Sequence, residues 1–245
     1  MSLMNRIYNL FGFKGNESTV EPVPIITETV SPNVNYTYDS ESIQTRTPTQ
    51  MYPVHPMILA RRSMRTMDGK TVDNDSLMSL FEAARWAPSH FNMQNWRFVY
   101  ATRDSPKWDQ YLDSLWALNR LWAKNAGVLV VAMSRKSYVR KGKVELVPTH
   151  SFEAGSAWMC MALEGTARGL VVHAMSGFYK DKIANVIGLN GNDNYEIEAM
   201  IAIGNRAPPG YFSGLMDKVT TRNAIETFIS KETFQESEGS SETIK

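Results

Sequence analysis

The chain has 245 residues, 43% of them hydrophobic, enough to bury a sizeable core in one large domain or two small ones. Lys and Arg number 26 against 25 Asp and Glu, a formal net charge of +1, which argues against a general nucleic-acid binder with its broad basic excess. The single cysteine, Cys160, excludes an internal disulfide framework and fits a reducing, cytoplasmic setting.

In chain order, Arg6 and the run Ile7-Tyr8-Asn9-Leu10-Phe11-Gly12-Phe13 read as neither a signal peptide nor a membrane span. A frayed arm is favoured there over a weak interfacial anchor. Residues 14–52 carry Ser, Thr, Asn and Pro without periodicity, and Pro22, Pro24, Pro32, Pro48 and Pro53 interrupt regular structure. Residues 1–52 are therefore expected to be an extended or disordered arm, and 235–245 a disordered tail. The folded body is expected over 53–234.

Within that body a first helix is expected at about 56–62. Asp73 is a plausible N-cap for a second, with Leu77, Leu80, Phe81 and Ala84 at helical spacing and Pro88 closing it. Residues 97–101 read as a strand and 107–123 as one helix, with Leu112, Leu115, Trp116 and Asn119 on one side. The longest apolar run, 127–133, is far too short to cross a bilayer and reads as a buried strand. Ser151–Arg168 is a long helix ended by Gly169, 170–174 a strand, 179–188 a helix closed by Gly188, and 196–204 a strand. The alternation implies an α+β fold with a central sheet flanked by helices. The 151–168 helix carries charge only at Glu153, Glu164 and Arg168. A helix apolar nearly all round belongs in a large core or a subunit interface.

The usual catalytic motifs are missing. The sequence has no Gly-x-x-x-x-Gly-Lys or Gly-x-Gly-x-x-Gly phosphate cradle, no His-Glu-x-x-His and no Gly-x-Ser-x-Gly. His55, His90, His150 and His173 are scattered, so no metal site is expected, and Cys160 lies in an apolar helix. His173, between Val172 and Ala174, reads as a satisfied core or edge histidine. With no assembled side-chain catalyst, an enzyme built on this sequence would take its reactive atom from a cofactor.

Three segments offer binding chemistry. Arg61, Arg62, Ser63 and Arg65 form the best anion site, because guanidinium forks and a hydroxyl suit phosphate. The same charges would also suit the C-terminal end of a solvated helix. Pro88-Ser89-His90-Phe91-Asn92-Met93-Gln94-Asn95-Trp96 is either a polar loop before a packed Trp96 or a reader of a heteroaromatic edge. Ser176-Gly177 sits between strand and helix. It is either an ordinary turn or a place where backbone approaches something planar.

Taken together, these residues resemble the nitroreductase family of FMN-dependent oxidoreductases. The resemblance covers about 56–230. It rests on RRSMRT, APSHFNMQNWRFV, EAGSAWMCMALEGTARGLVVHAMSGF and IAIGNRAPP, followed by Arg222. It implies a central, mostly antiparallel sheet flanked by helices in an interlocked homodimer with FMN at the subunit interface. It also implies that Arg61, Arg62, Ser63 and Arg65 hold the FMN phosphate and ribityl chain, with Arg222 completing that site. Pro88, Ser89 and Asn92 would reach the flavin from the partner subunit, with Gln94 near it, and Ser176-Gly177 would face the flavin N5 edge. The implied activity is reduction of nitroaromatics, quinones or similar small aromatic acceptors with NAD(P)H. The flavin would supply the reactive atom, and no nucleic-acid or membrane partner is implied. Other uses of the same scaffold are flavin storage, reductive dehalogenation and flavin fragmentation. Two positions depart from the family pattern: Asn95 where many members have Pro, which implies a less rigid loop, and Thr220 where many have Lys, which removes a charge that Arg62 would replace. If the arm is merely loose, removal of residues 1–50 is expected to leave flavin binding intact.

Overall fold

The computed structural model describes residues 40–208 and 210–236. Four strands form one antiparallel sheet: β1 (Trp96–Thr102), β2 (Val128–Arg135), β5 (Leu170–Met175) and β6 (Tyr195–Asn205), in the order β1-β2-β6-β5. The short strands β3 (Ser137–Arg140) and β4 (Lys143–Leu146) make a separate hairpin.

The apolar run is β2, an inner strand with helices on both sides. Successive side chains on a strand point to opposite faces. Leu129, Val131 and Met133 join one core, with Trp108 and Tyr111 of α4 (Trp108–Asp113), Trp122 of α5 (Ala117–Ala123) and Ile183 of α7 (Lys180–Ile187). Val128, Val130 and Ala132 join the other, with Leu77 and Leu80 of α3 (Asn74–Arg85) and Ala157 and Met161 of α6 (His150–Ala167). Because both faces are covered, the strand is continuously apolar instead of alternating. Fully buried side chains such as Leu80, Met161 and Ile201 each contribute about 1.5–3 kcal/mol of transfer free energy.

Local signals account for most boundaries. The Asp73 carboxylate caps α3 by accepting from the Ser76 N–H at 2.8 Å. Gly169 and Gly188 end α6 and α7 with φ of 71° and 75°, the left-handed region that glycine enters without cost.

Three expectations are corrected. The 107–123 segment is two helices, because Ser114, Leu115 and Trp116 leave the helix to pair with another loop. Leu115 bridges Phe178, the Trp116 N–H donates to Gly177 O at 3.0 Å, and the Tyr179 N–H donates to Ser114 O at 2.8 Å. The first helix of the body, α2 (Pro56–Ala60), stops before the arginines, and Arg61 is extended with φ −62° and ψ 123°. The stretch expected as extended arm, 1–52, contains a helix, α1 (Ser40–Arg46), followed by a 3-10 turn at Thr47–Thr49, whereas residues 1–39 lie outside the described residues. A last helix, α8 (Tyr211–Met216), precedes the segment that carries Arg222.

Candidate active site

After α2 the chain runs extended, and extended backbone sends alternate side chains to opposite sides. Ala60, Arg62 and Met64 are buried, whereas Ser63 and Arg65 are exposed and Arg61 is intermediate. Arg61, Ser63 and Arg65 therefore share the outward side. The Arg61 guanidinium donates to Ser63 Oγ at 3.3 Å. Burial, and then the nearby charge of Arg222, push the Arg61 pKa below its ordinary value. Arg222 thus lies within electrostatic reach of Arg61, although they are far apart in sequence. Arg62 faces the other way. Its side chain is only 4% exposed and pairs with Glu41 of α1 at 3.2 Å. The structure directs Arg62 to Glu41, away from the side shared by Arg61, Ser63 and Arg65.

The backbone of this segment is fixed by a buried carboxylate. Asp217 accepts from the Arg65 N–H at 2.6 Å, from the Thr66 N–H at 3.3 Å and from the Thr66 hydroxyl. On the inner side, His173 of β5 bonds the Met64 carbonyl at 2.8 Å through Nδ1. A carbonyl only accepts, so Nδ1 carries the proton in the neutral ring. Burial is the main cause that pushes the His173 pKa below its usual value. The charges of Arg65 and Arg61 add to that, against the Met64 carbonyl and Asp217. The ring packs 4.7 Å from Trp122. His173 is thus the satisfied histidine expected, and it also ties the sheet to the arginine segment.

Arg222 is oriented locally. Its Nη1 donates to Thr220 Oγ1 at 3.0 Å and to Thr221 O at 2.8 Å. The threonine expected only to remove a charge is an acceptor that aims the charge that remains.

The loop at 88–95 is held by a different carboxylate. Glu153 of α6 is 3% exposed and accepts from the His90 N–H at 3.1 Å, the Asn95 amide at 2.7 Å and the Thr149 hydroxyl at 2.7 Å. Burial alone would raise the Glu153 pKa, but these donors outweigh it and hold the carboxyl below its usual range. Asn95 is also buried, and its Oδ1 accepts from Arg135 at 3.0 and 3.2 Å. Asn95 therefore cross-links the loop to α6 and β2 with contacts that a proline has no side-chain groups to make. Phe91, Asn92 and Gln94 all have positive φ, at 47°, 55° and 51°, a strained conformation for residues with a Cβ. The Gln94 N–H donates to Ser89 Oγ at 2.9 Å and its amide to Asn92 O at 3.0 Å, so Ser89, Asn92 and Gln94 form one knot, with Pro88 exposed beside it. Trp96 is packed in the core.

Ser176-Gly177 follows β5. The Gly177 carbonyl accepts from the Trp116 N–H and from the Asn119 amide, both at 3.0 Å. A Cβ at Gly177 would stand 2.6 Å from Asn119 Nδ2 and 3.1 Å from the Trp116 ring. The close approach that requires glycine is therefore to α5. Ser176 lies three residues past His173, about 10 Å along the strand at about 3.3 Å per residue. One strand thus carries both the support of the arginine segment and the turn.

The family model for the nitroreductase family matches residues 58–121. A solved oxidoreductase containing FMN is 34% identical, with a TM-score of 0.71 over 77% of this chain and 96% of its own. The chain belongs to the nitroreductase family. The candidate NAD(P)H nitroreductase YdgI of Bacillus subtilis (strain 168) is 23% identical over 187 residues, 62% of this chain and 88% of that protein. A candidate nitroreductase in complex with FMN from Desulfovibrio desulfuricans shares the fold, with a TM-score of 0.57 at 23% identity over 76% of this chain and 100% of its own. The stretch matched by the nitroreductase model includes the arginine segment and the 88–95 loop, whereas Ser176, Gly177 and Arg222 lie beyond it.

Four residues that hold these segments in place were not among the binding residues expected from the sequence: Glu41, Arg46, Glu153 and Asp217. Glu153 was visible as a rare charge in an apolar helix, a signal of a buried partner. The other three act across long sequence separations and had no local signature. Among the described residues, no helix is long and apolar enough to cross a membrane, and no three His, Cys, Asp or Glu side chains are grouped to hold a metal.

Proposed function

We propose that the chain is an FMN-dependent oxidoreductase that uses NAD(P)H to reduce nitroaromatic, quinone or similar aromatic acceptors, and that it works as a homodimer. The observation that carries this reading is the juxtaposition of Arg61 and Arg222. Both are cationic, burial and then the charge of Arg222 lower the Arg61 pKa, and the two carboxylates bonded to this segment among the described residues serve other groups: Asp217 the Arg65–Thr66 backbone, Glu41 the inward Arg62. A donor set of this kind fits a phosphate monoester, which carries about −1.5 to −2 charge at pH 7.

Arg61, Arg65 and Arg222 would hold the phosphate, with the Ser63 hydroxyl on the same side. His173 stays neutral and holds the Met64 carbonyl, which fixes the segment without adding charge to it. Glu153 holds the loop at His90 and Asn95, on either side of the left-handed Asn92 and Gln94. Ser176-Gly177 lines the end of β5. Bound FMN would supply the hydride-transfer chemistry between nucleotide and acceptor.

The second subunit is supported by α6. Phe152 is 77% exposed and Met159 38%, with exposed Gly155 between them on one side of the helix. That unpartnered apolar face suits a second copy of the same helix. The test is steady-state oxidation of NADH and NADPH with a quinone and with a nitroaromatic. Acceptor-dependent turnover by the flavin-loaded protein is expected. Bound flavin that neither nucleotide reduces would remove the enzymatic reading.

A further inference from the structure

The stretch before the arginine segment is tied into it by an arginine outside the matched family region. Arg46, at the end of α1, is 9% exposed. Its Nη1 donates to Leu59 O at 2.7 Å and Arg61 O at 3.0 Å, and its Nε to Thr220 O at 3.1 Å. One guanidinium thus joins the backbone at Arg61 to the backbone two residues before Arg222. Thr220 in turn receives the Arg222 guanidinium. Five residues earlier, Glu41 pairs with Arg62 at 3.2 Å and Arg206 at 3.7 Å, and Arg206 bridges Met67. Helix α1 therefore grips both ends of the 61–67 segment and its partner segment at 220–222.

Electrostatics give this grip a purpose. Arg61 and Arg222 carry like charges within electrostatic reach of each other, so without an anion between them nothing in their own charges keeps them together. The Thr220 carbonyl lies in irregular backbone outside any helix or strand, where Arg46 supplies its donor. We propose that Arg46 is a positioning residue of the anion site, setting the spacing of Arg61 and Arg222 so that both meet one phosphate. Residues 40–46 are on this account part of the binding site, and removal of residues 1–50 would damage it. The inference rests on the FMN reading above.

The test separates phosphate binding from general support by comparing FMN with riboflavin, which has the same ring and ribityl chain but no phosphate. Each is titrated into flavin-free full-length protein and followed by flavin fluorescence, for the natural chain, R46A, R46K and R61A. Lys keeps the charge and the stem but lacks the fork that reaches carbonyls on two segments. Both Arg46 variants are expected to lose about 10- to 100-fold in FMN affinity, taking as a guide the range for losing a group that orients a metal's ligands. Their riboflavin affinity should be unchanged. If R46A does not fold, R46K decides. If R61A loses its preference for FMN while both Arg46 variants keep theirs, the positioning role is overturned and the FMN site stands. If Arg46 variants lose both flavins equally, the role is scaffolding alone and the proposal is also overturned. If the natural chain or R61A shows that phosphate adds nothing, the FMN reading fails and takes this inference with it.

Discussion

Arg61 and Arg62 are neighbours with opposite fates, and the extended backbone between Ala60 and Met67 is the reason. Alternation sends Arg61 outward with Ser63 and Arg65, and Arg62 inward to Glu41. From charge alone they formed one cluster, because α2 was expected to reach residue 62. The end of α2 at Ala60 turns a helix end into a one-sided row of donors. Replacing Arg61 or Arg222 with Ala should weaken FMN binding by about 1.5–3 kcal/mol each, the worth of a hydrogen bond to a charged group, with thermal stability little changed. Fluorescence titration checks this, and full FMN affinity in both variants would contradict it. His173 offers a pH test. Its folded pKa is lowered, so the unfolded chain binds the proton more readily, and stability is lost as pH falls below the unfolded value of about 6.5 towards the folded one. The flavin-free protein should melt earlier as pH is lowered from 7 to about 5.5, and His173→Gln should flatten that limb of the profile.

At the scale of elements, legibility followed the range of the forces. The α3 boundaries rest on Asp73 and Ser76, three residues apart, and β2 rests on its own apolar run, so both were readable. The split between α4 and α5 rests on pairing of 114–116 with 177–179, and α1 rests on Arg46 and Glu41 contacts up to 174 residues away. Neither has a local signature. The β3–β4 hairpin, short and largely exposed, lacks the buried run that marks the other strands. The 88–95 loop was recognised by composition, but the carboxylate that holds it lies on another element. Glu153→Ala should leave the buried Asn95 amide and the His90 N–H without an acceptor. The expected cost is about 1–3 kcal/mol for each unsatisfied group. Strained Phe91, Asn92 and Gln94 should then relax, and limited proteolysis should cut within 88–95 in the variant first. A variant as stable and as resistant as the natural chain would contradict this.

At the scale of the whole molecule, β5 links the candidate site's segments. That strand reaches the arginine segment through His173 and the Trp116–Asn119 segment through the turn at Gly177. In the proposed homodimer the exposed face of α6 would pack on a second copy. Phe152→Asp combined with Met159→Asp should place charge in that contact, giving a monomer by light scattering with impaired flavin retention. A dimer that keeps its flavin would show that another surface joins the subunits. On the proposed function, this fold holds FMN through its arginine site and accepts electrons from NAD(P)H there. The most direct measurement is the visible absorption spectrum of the FMN-loaded protein during anaerobic titration with NADH and with NADPH. A bound-flavin spectrum that at least one nucleotide bleaches and that a quinone restores is expected. A protein that stays colourless and shows no saturable FMN binding would contradict it.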